Sequence, residues 1–307
     1  HAERTMAPGQ LSYQQMKETY RYEKIDHATE VYGVIADPIS HSLSPHIHNA
    51  AFDALGLNKV YVPIRVRPED LTQFMHDCRE LGIRGISVTI PHKEEILHHK
   101  TKCDVGADEI GAANTLIWSG DDRVAYNTDY RAAMSSVDEI FGGGERDGVG
   151  MKDKHALVLG AGGVARAIVV GLSRRGADIT ITSRTPERAD DLAHFCKGKS
   201  IAWGLRHTVK CDLVVNCTPI GMHPNLDDTP LESKHLKPEM VVFDTVYNPE
   251  QTLLLKEARE VGCRVITGVD MFIGQAALQF LLFTGREAPT GLMRQVIRRT
   301  ISAVKYE

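Results

Sequence analysis

Short apolar runs rich in β-branched residues alternate with amphipathic stretches along the first half of the chain. Runs of this kind are typical of buried strands, whereas apolar residues spaced three and four apart are typical of helices. The predicted strands are VYGVI (31–35), VYVPIRV (60–66), GISVTI (85–90) and NTLIW (114–118). The alternation predicts βαβ units and a mostly parallel sheet.

Helices are predicted between these strands. SPHIHNAAFDALG should begin with Ser44 as its N-cap and Pro45 as its first helical residue. PEDLTQFMHDCRELG should begin at Pro68 and end at Gly82, because glycine is typical of the position just past a helix. A shorter helix should follow Pro91.

A second alternating series follows a glycine-rich, charged stretch, FGGGERDGVGMKDK (141–154), which predicts a loop near a domain junction. Its predicted strands are HALVLG (155–160), DITITS (178–183), CDLVVNC (211–217) and MVVFD (240–244). From Asp270 onward the pattern is helical. The chain therefore belongs to the α/β class, and its 307 residues indicate two domains.

The composition excludes several classes of function. Hydrophobic residues make up 42% of the chain, charged residues make up 25%, and the net charge of −4 comes without a basic stripe, so nucleic-acid binding is not expected. No apolar run approaches the roughly 20 residues needed to cross a bilayer, and no secretory signal begins the chain. We therefore expect a cytoplasmic protein with no membrane partner.

The cysteines and histidines show no metal-binding spacing. Six cysteines lie scattered without a CxxC pair, which indicates reduced thiols in a reducing compartment. Histidine pairs occur at His46 and His48 and at His98 and His99, but no further ligands lie at a workable spacing. No metal site is predicted.

The stretch HALVLGAGGVARAIVVGLSRRG combines a buried strand, a glycine turn and a helix in that order. Gly160, Gly162 and Gly163 would let the backbone turn tightly and approach a pyrophosphate. The helix that follows would offer free N–H groups to that pyrophosphate. A glycine turn without a ligand is the alternative. The strand before it and the helix after it favour a dinucleotide site.

The next predicted strand ends without the acidic residue that holds the ribose 2′-hydroxyl of NAD. Ser183 occupies this region and is followed by Arg184, Thr185 and Arg188. A guanidinium can grip a 2′-phosphate, whereas a carboxylate would repel it. The pattern predicts NADP as the cofactor. The alternative is a solvated helix start, which two cations near a helix N-terminus disfavour.

Eight segments resemble the shikimate dehydrogenase family, in that family's order. They are SHSLSP (40–45), SVTIPHK (87–93), GAANTL (111–116), YNTDY (126–130), GAGG (160–163), SRTPER (183–188), NCTPIGM (216–222) and GQAALQF (274–280). The resemblance covers the chain from about residue 31 to its end. It implies NADP-dependent, reversible reduction of 3-dehydroshikimate to shikimate, a precursor of the aromatic amino acids.

Further segments resemble proteins in which a dehydroquinate dehydratase is fused to a shikimate dehydrogenase. They are APGQLS (7–12), YRYEKI (20–25), EVYGVI (30–35), FDTVYNP (243–249) and VDMFIGQA (269–276). The expectation is that the chain is the dehydrogenase half of such a protein, or descends from one. A fused or cleaved dehydratase domain is then the expected protein partner.

The family resemblance assigns roles to individual residues. Lys93 matches the catalytic lysine and Asp129 its partner aspartate, which implies an acid–base pair beside the reacting hydroxyl. Without the resemblance, Lys93 could equally well be interpreted as a surface lysine. The residues that match substrate-binding positions are Ser42 and Ser44 for the carboxylate, and Thr89, Asn114, Tyr247 and Gln275 for the ring or its surroundings. Thr218 matches a position near the adenosine, and Val246 and Met271 match positions near the nicotinamide.

The resemblance also implies the domain organisation. A substrate-binding catalytic domain should comprise residues 31–132 and 272–307, a doubly wound Rossmann-type NADP domain residues 133–271, and an accessory extension residues 1–30. Two alternatives stay open. A quinate dehydrogenase could share the scaffold, but Ser42, Ser44 and Thr89 favour shikimate. A non-catalytic ligand sensor should have lost Lys93 or Asp129, and both are present.

Overall fold

The chain divides into two compact α/β units. The computed structural model describes residues 11–39, 42–142 and 150–303. One unit comprises His1–Thr128 and Ala276–Glu307, and the other comprises Asp129–Gln275. The predicted α/β class with two folded units is confirmed.

The helices and strands follow the predicted alternation. The first unit contains α1 (Tyr13–Glu18), β1 (Glu30–Ala36), α2 (Ser44–Ala54), β2 (Lys59–Arg65), α3 (Leu71–Asp77), β3 (Ile83–Val88), β4 (Lys102–Cys103), α4 (Val105–Ile110), β5 (Thr115–Ser119) and β6 (Asp122–Tyr126). The next elements are α5 (Thr128–Phe141), β7 (His155–Leu159), α6 (Gly163–Arg174), β8 (Asp178–Ser183), α7 (Pro186–Cys196), β9 (Lys199–Ala202), β10 (Leu213–Asn216), β11 (Val241–Asp244), α8 (Leu253–Val261) and β12 (Arg264–Ile266). Two helices end the described chain, α9 (Gly268–Thr284) and α10 (Thr290–Ala303).

The first sheet has the strand order β2-β1-β3-β5-β6-β4. Strand β1 pairs in parallel with β2 and β3, whereas β5 runs antiparallel to both β3 and β6. The antiparallel pair arises because β5 and β6 form a hairpin whose turn contains Gly120 at φ +63°. The sheet is thus mixed, and the carboxyl ends of β1 and β3 share an edge with the start of β5.

The core of this unit explains why its strands are apolar. Ile35 from β1, Ile86 and Val88 from β3, and Leu116 from β5 are buried in one cluster. Met75 from α3 packs in the same cluster. Burying apolar area of this kind is the main force that holds a helix against a sheet.

Two helix predictions of the first unit need correction. Ser44 is the first residue of α2 and not its N-cap, a position that Leu43 takes without a side-chain hydrogen bond. The stretch after Pro68 begins as a 3₁₀ helix over Pro68–Asp70, and α3 ends at Asp77, short of Gly82. Beyond Asp77 the chain forms turns up to the positive φ of Gly82.

The second sheet is parallel throughout, with the strand order β12-β11-β10-β7-β8-β9. The chain leaves β7 towards β8 on one side, and returns to place β10 on the other. The gap between β7 and β10 is therefore a topological switch point, where open α/β sheets bind their ligands. The two edge strands, β9 and β12, are short and were not predicted.

The described part of the N-terminal extension packs against its own unit. Ser12 caps α1, and Gln15 reciprocates in a capping box. Tyr20 is buried, which raises the pKa of its phenol to about 12, and Arg21 forms an ion pair with Asp53 of α2. Residues 1–10 of the predicted extension, residues 143–149 of the predicted loop and residues 40 and 41 of SHSLSP lie outside the described residues.

Candidate active site

The segment that contains Thr89 and Lys93 leaves the carboxyl end of β3 and is fixed by main-chain hydrogen bonds. The Thr89 N–H donates to the Ile35 carbonyl at 3.1 Å, and the Ala113 N–H donates to the Lys93 carbonyl at 2.7 Å. Both predicted residues are partly exposed, whereas His92 between them is buried and its Nε2 lies 2.7 Å from the Val66 carbonyl. The backbone on both sides of Lys93 is therefore held at the edge of the sheet.

Asn114 lies directly before β5, at the same edge. The Val88 N–H donates to the Asn114 carbonyl at 2.8 Å, and the Asn114 N–H donates to the Tyr126 carbonyl at 3.0 Å. The side chain is buried, and its Oδ1 accepts from the Thr128 N–H at 2.8 Å. Asn114 thus joins β3, the β5–β6 hairpin and the start of α5.

The two predicted serines lie at the start of α2. Ser42 is partly exposed and its N–H donates to the Ile39 carbonyl at 3.2 Å, while Ser44 is buried. Tyr61 on the neighbouring strand β2 donates its phenol proton to Ser87 at 2.6 Å. The first unit therefore brings Ser44, Thr89, Lys93 and Asn114 to the ends of its strands.

Asp129 belongs to the second unit and occupies the first turn of α5, with 8% of its surface exposed. It follows Thr128, whose N–H and hydroxyl both bond the Asn114 amide. The pairing of Asp129 with Lys93 stays a prediction.

The glycine turn after β7 has the geometry of a phosphate cradle. Gly160 has a φ of +110°, and a Cβ there would lie 2.9 Å from the Cys217 carbonyl oxygen, so this position requires glycine. Gly162 is the N-cap of α6, and apart from its chain neighbours and its own helix no atom of the described residues lies within 4 Å of the place its Cβ would take. Open space at a helix N-terminus fits the pyrophosphate of a dinucleotide.

Four residues predicted to bind the ribose phosphate lie together where β8 meets α7. The Thr185 N–H donates to the Ser183 hydroxyl at 3.2 Å, and Thr185 is the N-cap of α7 without a side-chain cap. Arg184 precedes the helix and Arg188 lies in its first turn, and both are exposed. The cluster can therefore offer two hydroxyls and two guanidinium groups to one anion.

A buried polar cluster lies at the ends of β10 and β11 and was not predicted from the sequence. Asn216 donates to the Asp244 carboxylate at 3.0 Å, and the Thr252 hydroxyl donates to its other oxygen at 2.6 Å. Burial raises the pKa of Asp244 to about 6. Asn216 also orders the loop behind the glycine turn, since its Oδ1 accepts from the Thr218 hydroxyl at 2.7 Å. A polar residue ending each of two adjacent apolar strands was the available signal.

The remaining predicted residues lie where the loop after β11 meets α9. The Val246 N–H donates to Asp244 at 3.0 Å, and a Cβ on Gly268 would lie 2.2 Å from the Val246 carbonyl oxygen. The Tyr247 ring stacks on Phe272 at 4.5 Å, and Gln275 donates to the Phe272 carbonyl at 3.0 Å. Val246 and Met271 are both buried.

Residues 11–39, 42–142 and 150–303 contain neither a cluster of metal-ligating side chains nor a membrane-spanning helix. No group of three or more metal-ligating side chains lies close enough to hold an ion. No helix of these residues is long and apolar enough to cross a membrane.

Family models match both units. One described as the shikimate dehydrogenase substrate binding domain matches residues 34–116. Another, described as shikimate / quinate 5-dehydrogenase, matches residues 144–244, and a third, the shikimate 5′-dehydrogenase C-terminal domain, matches residues 268–298.

Individual proteins match over nearly the whole chain. The NADP(+) shikimate dehydrogenase of Moorella thermoacetica is 40% identical over 293 residues, which are 91% of this chain and 96% of that protein. A solved shikimate dehydrogenase in complex with NADP+ is 38% identical, with a TM-score of 0.82, over 90% of this chain and 97% of that one. A shikimate 5-dehydrogenase of Thermus thermophilus, solved with NADP(H) and shikimate, is 31% identical, with a TM-score of 0.76, over 88% of this chain and 99% of that one.

The parallel sheet, its switch point and the glycine cradle define a dinucleotide-binding α/β protein of the dehydrogenase type. The chain belongs to the shikimate dehydrogenase family.

Proposed function

We propose that this protein is an NADP-dependent shikimate dehydrogenase, which reversibly reduces the 3-keto group of 3-dehydroshikimate. The observation that carries the proposal is the placement of Thr89, Lys93 and Asn114 at one edge of the first sheet. The chain in which this occurs is 40% identical to an NADP(+) shikimate dehydrogenase over 293 residues.

Residues 133–271 are proposed as the NADP domain. Gly160, Gly162 and Gly163 would hold the pyrophosphate, because Gly162 leaves open space at the start of α6. Ser183, Arg184, Thr185 and Arg188 would bind the 2′-phosphate, Thr218 would lie near the adenosine, and Val246 and Met271 near the nicotinamide. NADPH, when bound, supplies the hydride for reduction.

Lys93 and Asp129 are proposed as the acid–base pair. In reduction Lys93 gives its proton to the incipient alkoxide, and in oxidation it takes the proton of the 3-hydroxyl. A carboxylate beside an ammonium favours its charged, proton-donating form. A positioned acid of this kind contributes about 10²–10⁴-fold to the rate.

Residues 31–132 and 272–307 are proposed as the substrate-binding catalytic domain. Ser42 and Ser44 would bind the carboxylate, and Thr89, Asn114 and Gln275 the ring hydroxyls. Tyr247 would lie beside the ring, where its stacking on Phe272 holds it in one orientation. Each buried polar group left without a partner costs about 1–3 kcal/mol, so this lining should reject analogues that lack hydroxyls.

The test is the absorbance of the reduced nicotinamide in four mixtures, namely shikimate or quinate, each with NADP⁺ or NAD⁺. We expect rapid reduction with shikimate and NADP⁺, and at least tenfold slower reduction in the other three. Preferred turnover of quinate or of NAD⁺ would replace the proposal with a quinate dehydrogenase. No turnover in any mixture would favour a ligand sensor.

We further propose that the chain corresponds to the dehydrogenase part of a fused protein and acts in the cytoplasm. The support is the resemblance of the N-terminal segments APGQLS and YRYEKI to the junction of fused dehydratase–dehydrogenase proteins. An antibody against this chain would test both points on fractionated cells of the source. A band larger than 34.0 kDa, or a copurifying dehydratase activity, is expected in the cytoplasmic fraction. A 34.0 kDa band without dehydratase would contradict the fusion.

A further inference from the structure

The side-chain amide of Asn114 is held in one orientation by its neighbours. Its Oδ1 accepts from the Thr128 main-chain N–H at 2.8 Å and from the Thr115 hydroxyl at 3.0 Å. Its Nδ2 donates to the Thr128 hydroxyl oxygen at 2.9 Å. A main-chain N–H can only donate, so the oxygen must face Thr128. One Nδ2 hydrogen is used by none of these bonds and is available to a ligand.

The direction of the Thr115 hydroxyl is set by Gln279. Thr115 is fully buried at the start of β5, and its oxygen accepts from Gln279 Nε2 at 3.0 Å. The same Nε2 donates to the Asn114 carbonyl at 3.2 Å, and a main-chain carbonyl can only accept. The Gln279 amide therefore cannot be reversed, and the Thr115 proton is left to point at Asn114.

The other end of the Gln279 amide is also occupied. Its Oε1 accepts from the Ser87 hydroxyl at 2.9 Å, and Ser87 accepts from the Tyr61 phenol at 2.6 Å. All these side chains are buried in the first unit, at the edge where the proposed substrate residues lie. The bonds form one chain of fixed polarity from Tyr61 to Asn114.

We propose that Thr115 is a positioning residue, which holds the Asn114 amide so that Asn114 meets the substrate as a hydrogen-bond donor. The inference rests on the proposed function and refines it. The ligand group that suits this geometry is an oxygen with a free lone pair, a ring hydroxyl or the keto oxygen. Thr115 itself does not touch the substrate.

Thr115→Val and Thr115→Ser test the role, since valine keeps the shape and serine keeps the hydroxyl. We expect Thr115→Val to raise KM for shikimate about fivefold with kcat within twofold of the parent value. Loss of one hydrogen bond has roughly this effect, and the acid–base pair is untouched. Thr115→Ser should keep the parent KM. Thr115→Ala against Thr115→Ser repeats the comparison if the valine variant folds poorly.

A double-mutant cycle with Asn114→Ala separates positioning from a general loss of structure. Once Asn114 is alanine, Thr115→Val should have no further effect on KM. Thr180→Val is the matched control, because Thr180 is a buried strand threonine whose hydroxyl bonds His155 at 2.8 Å, and it should leave KM unchanged.

Two results would overturn the inference. One is a parent-like KM in Thr115→Val, and the other is a full fivefold effect that persists in the Asn114→Ala background. Failure of the proposed function is distinguishable, because it is measured on the parent protein, which would then not prefer shikimate and NADP⁺ among the four mixtures.

Discussion

Asp244 accepts a hydrogen bond from the Asn216 amide at 3.0 Å, where two neighbouring parallel strands end. The Asp244 carboxylate also accepts a hydrogen bond from the main-chain N–H of Val246 at 3.0 Å. A fully buried acid thus supports the loop proposed to contact the nicotinamide. Burial disfavours its charged form despite three hydrogen bonds.

Asp244→Asn should remove a pH dependence of stability. The pKa of Asp244 is raised by burial from 3.8 to about 6, so the folded protein holds this proton more tightly than the unfolded chain. The parent should therefore lose about 2 kcal/mol of unfolding free energy, through this group, as the pH rises from 4 to 7. Urea unfolding of both proteins at the two pH values measures the difference. Equal changes of the unfolding free energy with pH in the two proteins would show that the pKa of Asp244 is the same in the folded and unfolded states.

His48→Phe should have the opposite pH effect in the first unit. Burial lowers the pKa of His48 from 6.5 to about 3, so the unfolded chain takes up a proton that the folded protein excludes. The parent should lose about 2 kcal/mol relative to the variant as the pH falls from 7.5 to 5. Phenylalanine keeps the stacking on Tyr61, since the His48 and Tyr61 ring centroids lie 4.4 Å apart with an angle of 10° between the ring planes. Urea midpoints that move in parallel would contradict this prediction.

Arg184→Ala should weaken the preference for NADP⁺. We expect KM for NADP⁺ to rise at least tenfold and KM for NAD⁺ to change less than twofold, because only NADP⁺ carries the 2′-phosphate. Initial rates at saturating shikimate measure both constants. Arg259→Ala, at an exposed arginine of α8, is the control. An equal rise of KM for the two cofactors would mean that Arg184 does not bind the 2′-phosphate.

The periodic strands could be predicted because burial on both faces of a parallel sheet leaves long apolar runs, such as HALVLG. Edge strands β9 and β12 escaped prediction because they are short and half exposed. Ser44 was mistaken for an N-cap because capping preference is local, whereas in the structure Leu43 takes that position and Ser44 is the buried first residue of α2. Asn216 and Asp244 each end an apolar strand, which the sequence shows, but they lie 28 residues apart and pair only because the two strands are neighbours in the sheet.

The candidate site also has a part that the sequence predicts and a part that only the structure shows. Glycine conformations and strand ends follow from the chain itself, as Gly160 and Thr89 show. The hydrogen-bond chain from Tyr61 to Asn114 depends on Gln279, which lies more than 160 residues from Asn114. Only the folded structure brings such donors and acceptors together. The direction of each hydrogen bond then follows from main-chain groups, which can only donate or only accept.

Lys93→Ala at saturating shikimate and NADP⁺ tests the central claim most directly. We expect kcat to fall by about 10²–10⁴, because the reacting hydroxyl loses its proton acceptor. The affinity for NADP⁺, measured separately by titration, should stay within twofold. Lys100→Ala, which removes the lysine directly after the 3₁₀ helix Glu95–His99, should keep the parent kcat. A kcat for Lys93→Ala within tenfold of the parent value would contradict the account.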